Sequence, residues 1–205
     1  MKYLGSYLSS AGTSDVDVDA RISKGSQAFG ALSKRITRSK EMDSLKGAIY
    51  VTLVLNVVLY GWTLTGELKQ KLISFHHRCV RRMCRVTTLI MSAQQIHHSD
   101  LLERLGIQSI DYYYNSRVLR WAGHVSRMPM SRRPRLFLTS GVPGLAQSHI
   151  KTWGKGLDEI LAAKGLPRDF SRWRQLAMNR GKWRKLIKST TLPADDEDED
   201  AAPQQ

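Results

Sequence analysis

Cys79, Cys84, His97 and His98 are the four side chains in this sequence that together resemble a zinc ligand set. Their spacing argues against one. The run around Cys79 and Cys84 reads as helix, which turns about 100° per residue, so the two thiols point about 140° apart. Adjacent histidines also lack the three-to-five-residue separation usual for the second ligand pair. Cys79 is expected as a packed apolar residue.

His124, within WAGHV, has the chemistry of a general base, but no serine, cysteine or carboxylate near it completes a nucleophilic constellation. It is expected to be structural or to donate to a phosphate. Two-metal phosphoryl transfer needs carboxylates held close together on rigid elements. The adjacent acids here are Asp158-Glu159, on an expected helix, and the C-terminal run DDEDED at 195–200, which has no strand to pin it. The residues therefore call for no catalysis by this chain alone, and for no metal or cofactor.

The basic residues are different in kind. The chain has 32 Lys+Arg and 18 Asp+Glu, a net charge of +14. Six of the acids fall in 195–200, so the remainder carries 32 cations against 12 acids, or +20. Such a balance points to a polyanion, because each cation laid on a phosphate releases a condensed counterion. Three clusters stand out: Arg78, Arg81, Arg82 and Arg85; an arm with Arg120, Trp121, His124, Arg127, Arg132, Arg133 and Arg135; and a last helix with Arg172, Arg174, Arg180, Lys182, Arg184, Lys185 and Lys188. One charge run alone is usually a solvated helix face. Tyr112, Tyr113, Tyr114 and Trp121 are candidates for stacking on bases, while Trp173 and Trp183 are expected in the core.

The elements that must carry these clusters are mainly helical. MKYLGSYLSS reads as a short strand or hairpin. From Asp15, the residues Val18, Ile22, Phe29, Leu32 and Ile36 share one helical face, with Lys24, Lys34, Arg35 and Arg38 opposite. The run AIYVTLVLNVVLY at 48–60 suits a buried helix or a buried strand, with length favouring helix, and its 13 residues are too few to span a bilayer. A second stripe from Thr65 through Leu68, Leu72, Phe75, Cys79, Met83 and Val86 predicts a helix with the first arginine cluster along its edge. Helices are expected over 97–105 and 107–122, the latter broken by Gly123, then a proline- and glycine-rich linker or arm over 128–150, and helices over 151–165 and 168–188. The acidic run is expected to be disordered. The resulting organisation is a remnant strand (1–14), a helical domain (15–127), a linker (128–150), a smaller C-terminal helical segment (151–190) and a tail (191–205). Two cysteines and no secretory signal fit a reducing nuclear or cytoplasmic setting.

The order KYLGSYLS, DVDARISKGSQAFGAL, VVLYG, KLISFHHRCVRRM, then LRWAGHVSRM followed by RRPR, over about residues 2–137, resembles the part of non-LTR (LINE-like) retrotransposon reverse transcriptases that follows the catalytic palm. WRQLAMNRGKWRKL is similar to their C-terminal segment. The resemblance implies a thumb-like helical bundle gripping a template-primer duplex, with Lys2, Tyr3, Leu4 and Gly5 near the primer end and Arg78, Arg81, Arg82 and Arg85 facing phosphates. It departs from the family at three places: Met1 stands directly before KYLG, where the palm aspartates would precede; Trp62 follows Tyr60-Gly61 at once; and Asn179 replaces a common aspartate. The expectation is a fragment that binds RNA or DNA backbone without catalysis. An assembly module docking on a separate palm or on another copy through 48–60, and a decayed element product, are the alternatives.

Overall fold

In the computed structural model the described residues are 2–3, 6–7, 15–38, 42–59, 66–139 and 156–189. They are almost wholly helical, as the apolar periodicities require. A minimal hairpin opens the chain: β1 (Lys2–Tyr3) pairs antiparallel with β2 (Ser6–Tyr7), Lys2 opposite Tyr7, and β2 lies against α1 (Asp15–Arg38).

The 48–60 run settles as helix. α2 (Asp43–Tyr50) continues through a wider π turn (Val51–Leu55) into α3 (Asn56–Val58). α4 (Gly66–Cys84) follows, and Arg85 ends it by turning into the left-handed region at φ 58°. The short α5 (Thr88–Gln94), which the apolar pattern did not announce, starts at a Thr87 side chain that accepts the Ile90 N–H at 3.3 Å. α6 (His98–Leu105) stops at Gly106 with φ 62°, a conformation glycine adopts without steric cost.

These helices close on one core containing Phe29, Tyr50, Val54, Leu72, Phe75, Cys79, Met83, Leu101 and Leu105. Gly25 allows α1 and α3 to touch: a Cβ there would stand 2.1 Å from Val58 Cγ2. Both cysteines are buried free thiols. Burial pushes Cys79 up to about 12, so it is protonated and unreactive at neutral pH.

α7 (Ile110–Ser126) is capped by Ser109, whose hydroxyl accepts the Tyr112 N–H at 3.3 Å. It runs straight through Gly123, where the sequence suggested a break. Its first turns, with Ile110, Tyr113 and Tyr114, pack on the first core, while Leu119 and Ala122 belong to a second. That second core is completed by a helix over 156–163 (α9), by α10 (Phe170–Met178) and by α11 (Arg180–Ser189). Packing therefore crosses the boundary expected at 128–150, and the C-terminal helices are built onto the end of α7. Within that expected linker, α8 (Arg133–Thr139) is helical and lies against α7. Pro134 fits because the first turn of a helix needs no N–H partner. The part of the arm over 140–155 and the acidic run lie outside the described residues.

The single helix expected over 168–188 is two helices. Asn179 leaves helical geometry at ψ 102° and its Oδ1 accepts the Lys182 N–H at 3.0 Å, ending α10 and capping α11. Trp173 and Trp183 are both buried and stack on each other at 6.0 Å, as the core expectation had it. Among the described residues, no helix is long and apolar enough to cross a membrane.

Candidate nucleic-acid interface

The first arginine cluster is divided by its own packing. Arg78 and Arg82 are exposed on α4, but Arg81 is half-buried and its Nη1 donates to His98 Nε2 at 3.1 Å. Arginine only donates, so His98 Nε2 is an acceptor and the ring is neutral with its proton on Nδ1. His98 in turn stacks on His77 with ring centres 3.8 Å apart. Arg81 therefore fastens α6 to α4 and does not complete an even rail of phosphate donors.

Beneath it, Tyr50 and His76 share a hydrogen bond of 2.9 Å from the hydroxyl to Nδ1. Burial, aided by His77 and His98, lowers His76 to about 3; burial, then His98 and Arg81, lowers His77 to about 4. These imidazoles are uncharged at neutral pH and add nothing to anion binding.

The second cluster is also sorted by burial. Arg120, Trp121 (45% exposed) and His124 face out from α7, and Arg132 and Arg133 are exposed at the start of α8. Arg135, expected to face phosphates, is instead 4% exposed and sits over the Phe170 ring at 4.4 Å. Its correct role is to seal α8 onto α10 by a cation–π contact. Arg127 is half-buried and its Nη1 donates to the Ala177 carbonyl at 2.6 Å. Lys2 and Tyr3 have their backbone in β1, while Leu4 and Gly5 fall outside the described residues.

What the folding adds is a join between the second and third clusters. On α7, Arg117, Arg120, His124 and Arg127 fall within about 80° of one another, a row about 15 Å long. Arg117 anchors its upper end, donating to the Leu59 carbonyl at 3.0 Å and to Asn56 Oδ1. At the other end, α11 is laid against α7 at Gly123, where a Cβ would meet Trp183 Nε1 at 2.2 Å. Trp183 Nε1 donates to the Leu119 carbonyl at 3.0 Å, which fixes the contact. Arg174 Nε donates to the Ser126 carbonyl at 3.1 Å, bringing α10 to the same corner.

This places Arg180 and Arg184 beside Arg127. Burial first, then those two guanidiniums, lowers the proton affinity of Arg127 below arginine's ordinary value. Burial and then Arg120 act in the same direction on Arg117. Ion pairs among the described residues join Arg21 to Asp17, Lys46 and Arg104 to Asp43, Lys69 to Asp111 and Lys71 to Asp19. Among those residues, no carboxylate pairs with Arg117, Arg120, Arg127, Arg180 or Arg184. The arginines of the row are thus a run of like charge without internal neutralisation, suited to an extended anion. The Lys69–Asp111 pair ties the start of α7 to the start of α4.

Neither Arg117 nor the pairing of Arg180 and Arg184 with Arg127 stands out in the sequence. The i, i+3, i+7, i+10 spacing of 117, 120, 124 and 127 was the available signal for the first. The second is a tertiary contact with no local sequence mark.

No protein-family model matches the chain, and no solved structure does. Among curated proteins it is similar to a transposon-derived protein of Caenorhabditis elegans, itself uncharacterized, with 22% identity over 197 residues that cover 92% of this chain and 70% of that protein.

Proposed function

We propose that this chain binds the sugar-phosphate backbone of RNA or DNA without reading bases, as the post-palm part of a retroelement reverse transcriptase, and leaves bond-making to a neighbouring palm. The observation that carries this reading is the unneutralised row of Arg117, Arg120, His124 and Arg127 on α7, continued by Arg180 and Arg184 on α11. The motif order in the sequence and the similarity to a transposon-derived protein support the retroelement setting.

The test is the salt dependence of binding to a template-primer duplex. With about six phosphates contacted, affinity falls about a thousandfold between about 50 and 200 mM salt. Replacing Arg120 and Arg184 by glutamine lowers the slope of log affinity against log salt by about two. A flat salt response overturns the reading.

A second reading, an assembly module that docks on a palm, is favoured by Leu45, Leu53 and Val57, which stay exposed on the segment 43–58 although the opposite side of it is buried. It expects self-association of the isolated chain, and a monomer at high concentration in sedimentation rules it out.

A further inference from the structure

The row on α7 has a second wall. Arg180, at the start of α11, stands beside Arg127 near the end of α7, and Trp183 packs at Gly123. Toward the other end, the Ile187 carbonyl accepts from Lys164 Nζ at 3.3 Å, and the same ammonium sits over the Tyr112 ring at 5.1 Å. The two helices therefore run antiparallel along each other. Arg180, Arg184 and Lys188 are exposed and succeed one another turn by turn on the flank of α11 that faces Arg127.

We propose that the seam between these walls holds one unpaired strand of RNA or DNA, with Trp121 stacked on a base of that strand. The inference rests on the nucleic-acid reading above and narrows its ligand from any sugar-phosphate backbone to a single-stranded one.

Width is the first ground. Helices packed in contact lie about 8–10 Å apart, and at Gly123 no Cβ separates α7 from the Trp183 ring. One sugar-phosphate chain fits between guanidiniums at that spacing and meets both walls. A duplex, whose major groove alone is about 12 Å wide, is held on the rims.

Straightness is the second. The row on α7 runs about 15 Å along a helix axis. Over that length a strand of a B-form duplex sweeps about 160° around its own axis, since a full turn takes about 34 Å. It leaves only a short part of its backbone on a straight seam. A single strand is free to straighten, so its phosphates follow cations that recur about every 5–6 Å on each wall. No acid of these helices competes for the cations: α11 carries none, and Asp111, the one acid within α7, is paired with Lys69 at 3.0 Å.

The third ground is an indole. Going round α7 from Gly123, where α11 packs, the row comes first and Trp121 after it, about 40° beyond Arg117. Trp121 is 45% exposed, whereas Trp173 and Trp183 are buried. Phosphates laid in the seam therefore leave bases over the outer lip of α7, on the side of this ring. Bases paired in a duplex are not free to turn there, but an unpaired base stacks on an aromatic ring whatever its identity. The seam thus selects for strand state without selecting for sequence.

The experiment titrates the full chain against a single strand of about 12 nucleotides and a blunt duplex of the same length, each in RNA and in DNA, by fluorescence anisotropy. The expected result is that the single strand binds at least about tenfold more tightly than the duplex of the same sugar at about 100 mM salt. Trp121→Ala lowers single-strand affinity by about five- to a hundredfold. It leaves the salt slope unchanged, because no phosphate contact is lost. Trp121→Phe, which keeps a ring, retains most of the affinity. Equal or tighter binding of the duplex overturns the proposal and leaves backbone binding standing. Unchanged single-strand affinity in Trp121→Ala, or an equal loss in Trp121→Phe, also overturns it. Failure of both strands and both duplexes to bind overturns the nucleic-acid reading itself.

Discussion

The indole N–H of Trp183 donates to the carbonyl of Leu119 at 3.0 Å, across the point where Gly123 leaves room for the ring. This contact attaches α11 to α7 and sets Arg180 and Arg184 beside Arg127. The basic row depends on it.

Gly123→Ala places a Cβ 2.2 Å from Trp183 Nε1. In a packed core such a clash costs about 1–3 kcal/mol, so thermal unfolding moves down by several degrees. Because α11 is displaced, the salt slope of duplex binding also falls, and an unchanged slope would separate the row from this contact.

Arg135→Ala and Arg120→Ala are expected to part company. Arg135 is buried over Phe170, and its removal costs about 1–2 kcal/mol of stability. Arg120 is exposed, and its removal leaves unfolding within about 0.5 kcal/mol while weakening duplex binding. Denaturant melts of both variants, set beside their affinities, decide the matter.

Acid weakens the fold through His76 and His77. Their folded values, about 3 and about 4, lie below the ordinary 6.5, so between pH 6.5 and those values the unfolded chain binds protons that the folded one refuses. The stability they contribute is complete above pH 6.5 and is lost as the pH falls, by up to about 1.4 kcal/mol per pH unit for buried His76 and by less for His77, whose partial exposure lets solvent screen it. Replacing His76 by Leu together with Tyr50 by Phe, so that no hydroxyl is orphaned, flattens the slope of stability between pH 6.5 and 4. An unchanged slope shows that other groups set it.

Asn179→Ala removes the acceptor for the Lys182 N–H and costs about 1 kcal/mol. Asn179→Asp keeps the cap and adds an anion at a helix start beside Arg180, so it is neutral or stabilising. Chemical denaturation of the two variants tests the pair; equal losses would deny the cap.

Much of the helical architecture was legible because apolar residues recur at the helical period: α1 and α4 begin and end within a few residues of the expected limits. Gly123 misled because a glycine that makes room for another helix is indistinguishable, in one sequence, from one that breaks its own. Asn179 misled because the apolar face of 168–188 drifts without a gap, and only the cap bond reveals two helices. Arg135 and Arg81 looked like surface charge because residue type does not disclose whether an arginine stem packs under a ring or a guanidinium meets an imidazole. The two basic clusters that meet at Arg127 are about fifty positions apart, and no local pattern carries that distance.

The π turn at Val51–Leu55 holds one residue more than α-helical winding needs. It also sets the angle at which Asn56 and Leu59 meet Arg117. Loss of a single codon in that turn would remove the residue that the wider turn absorbs and restore ordinary winding, leaving Asn56 and Leu59 on nearly the same face. A one-residue deletion there would therefore spare the latch on Arg117, whereas one in the α-helical stretch before it would turn both acceptors away by about 100°.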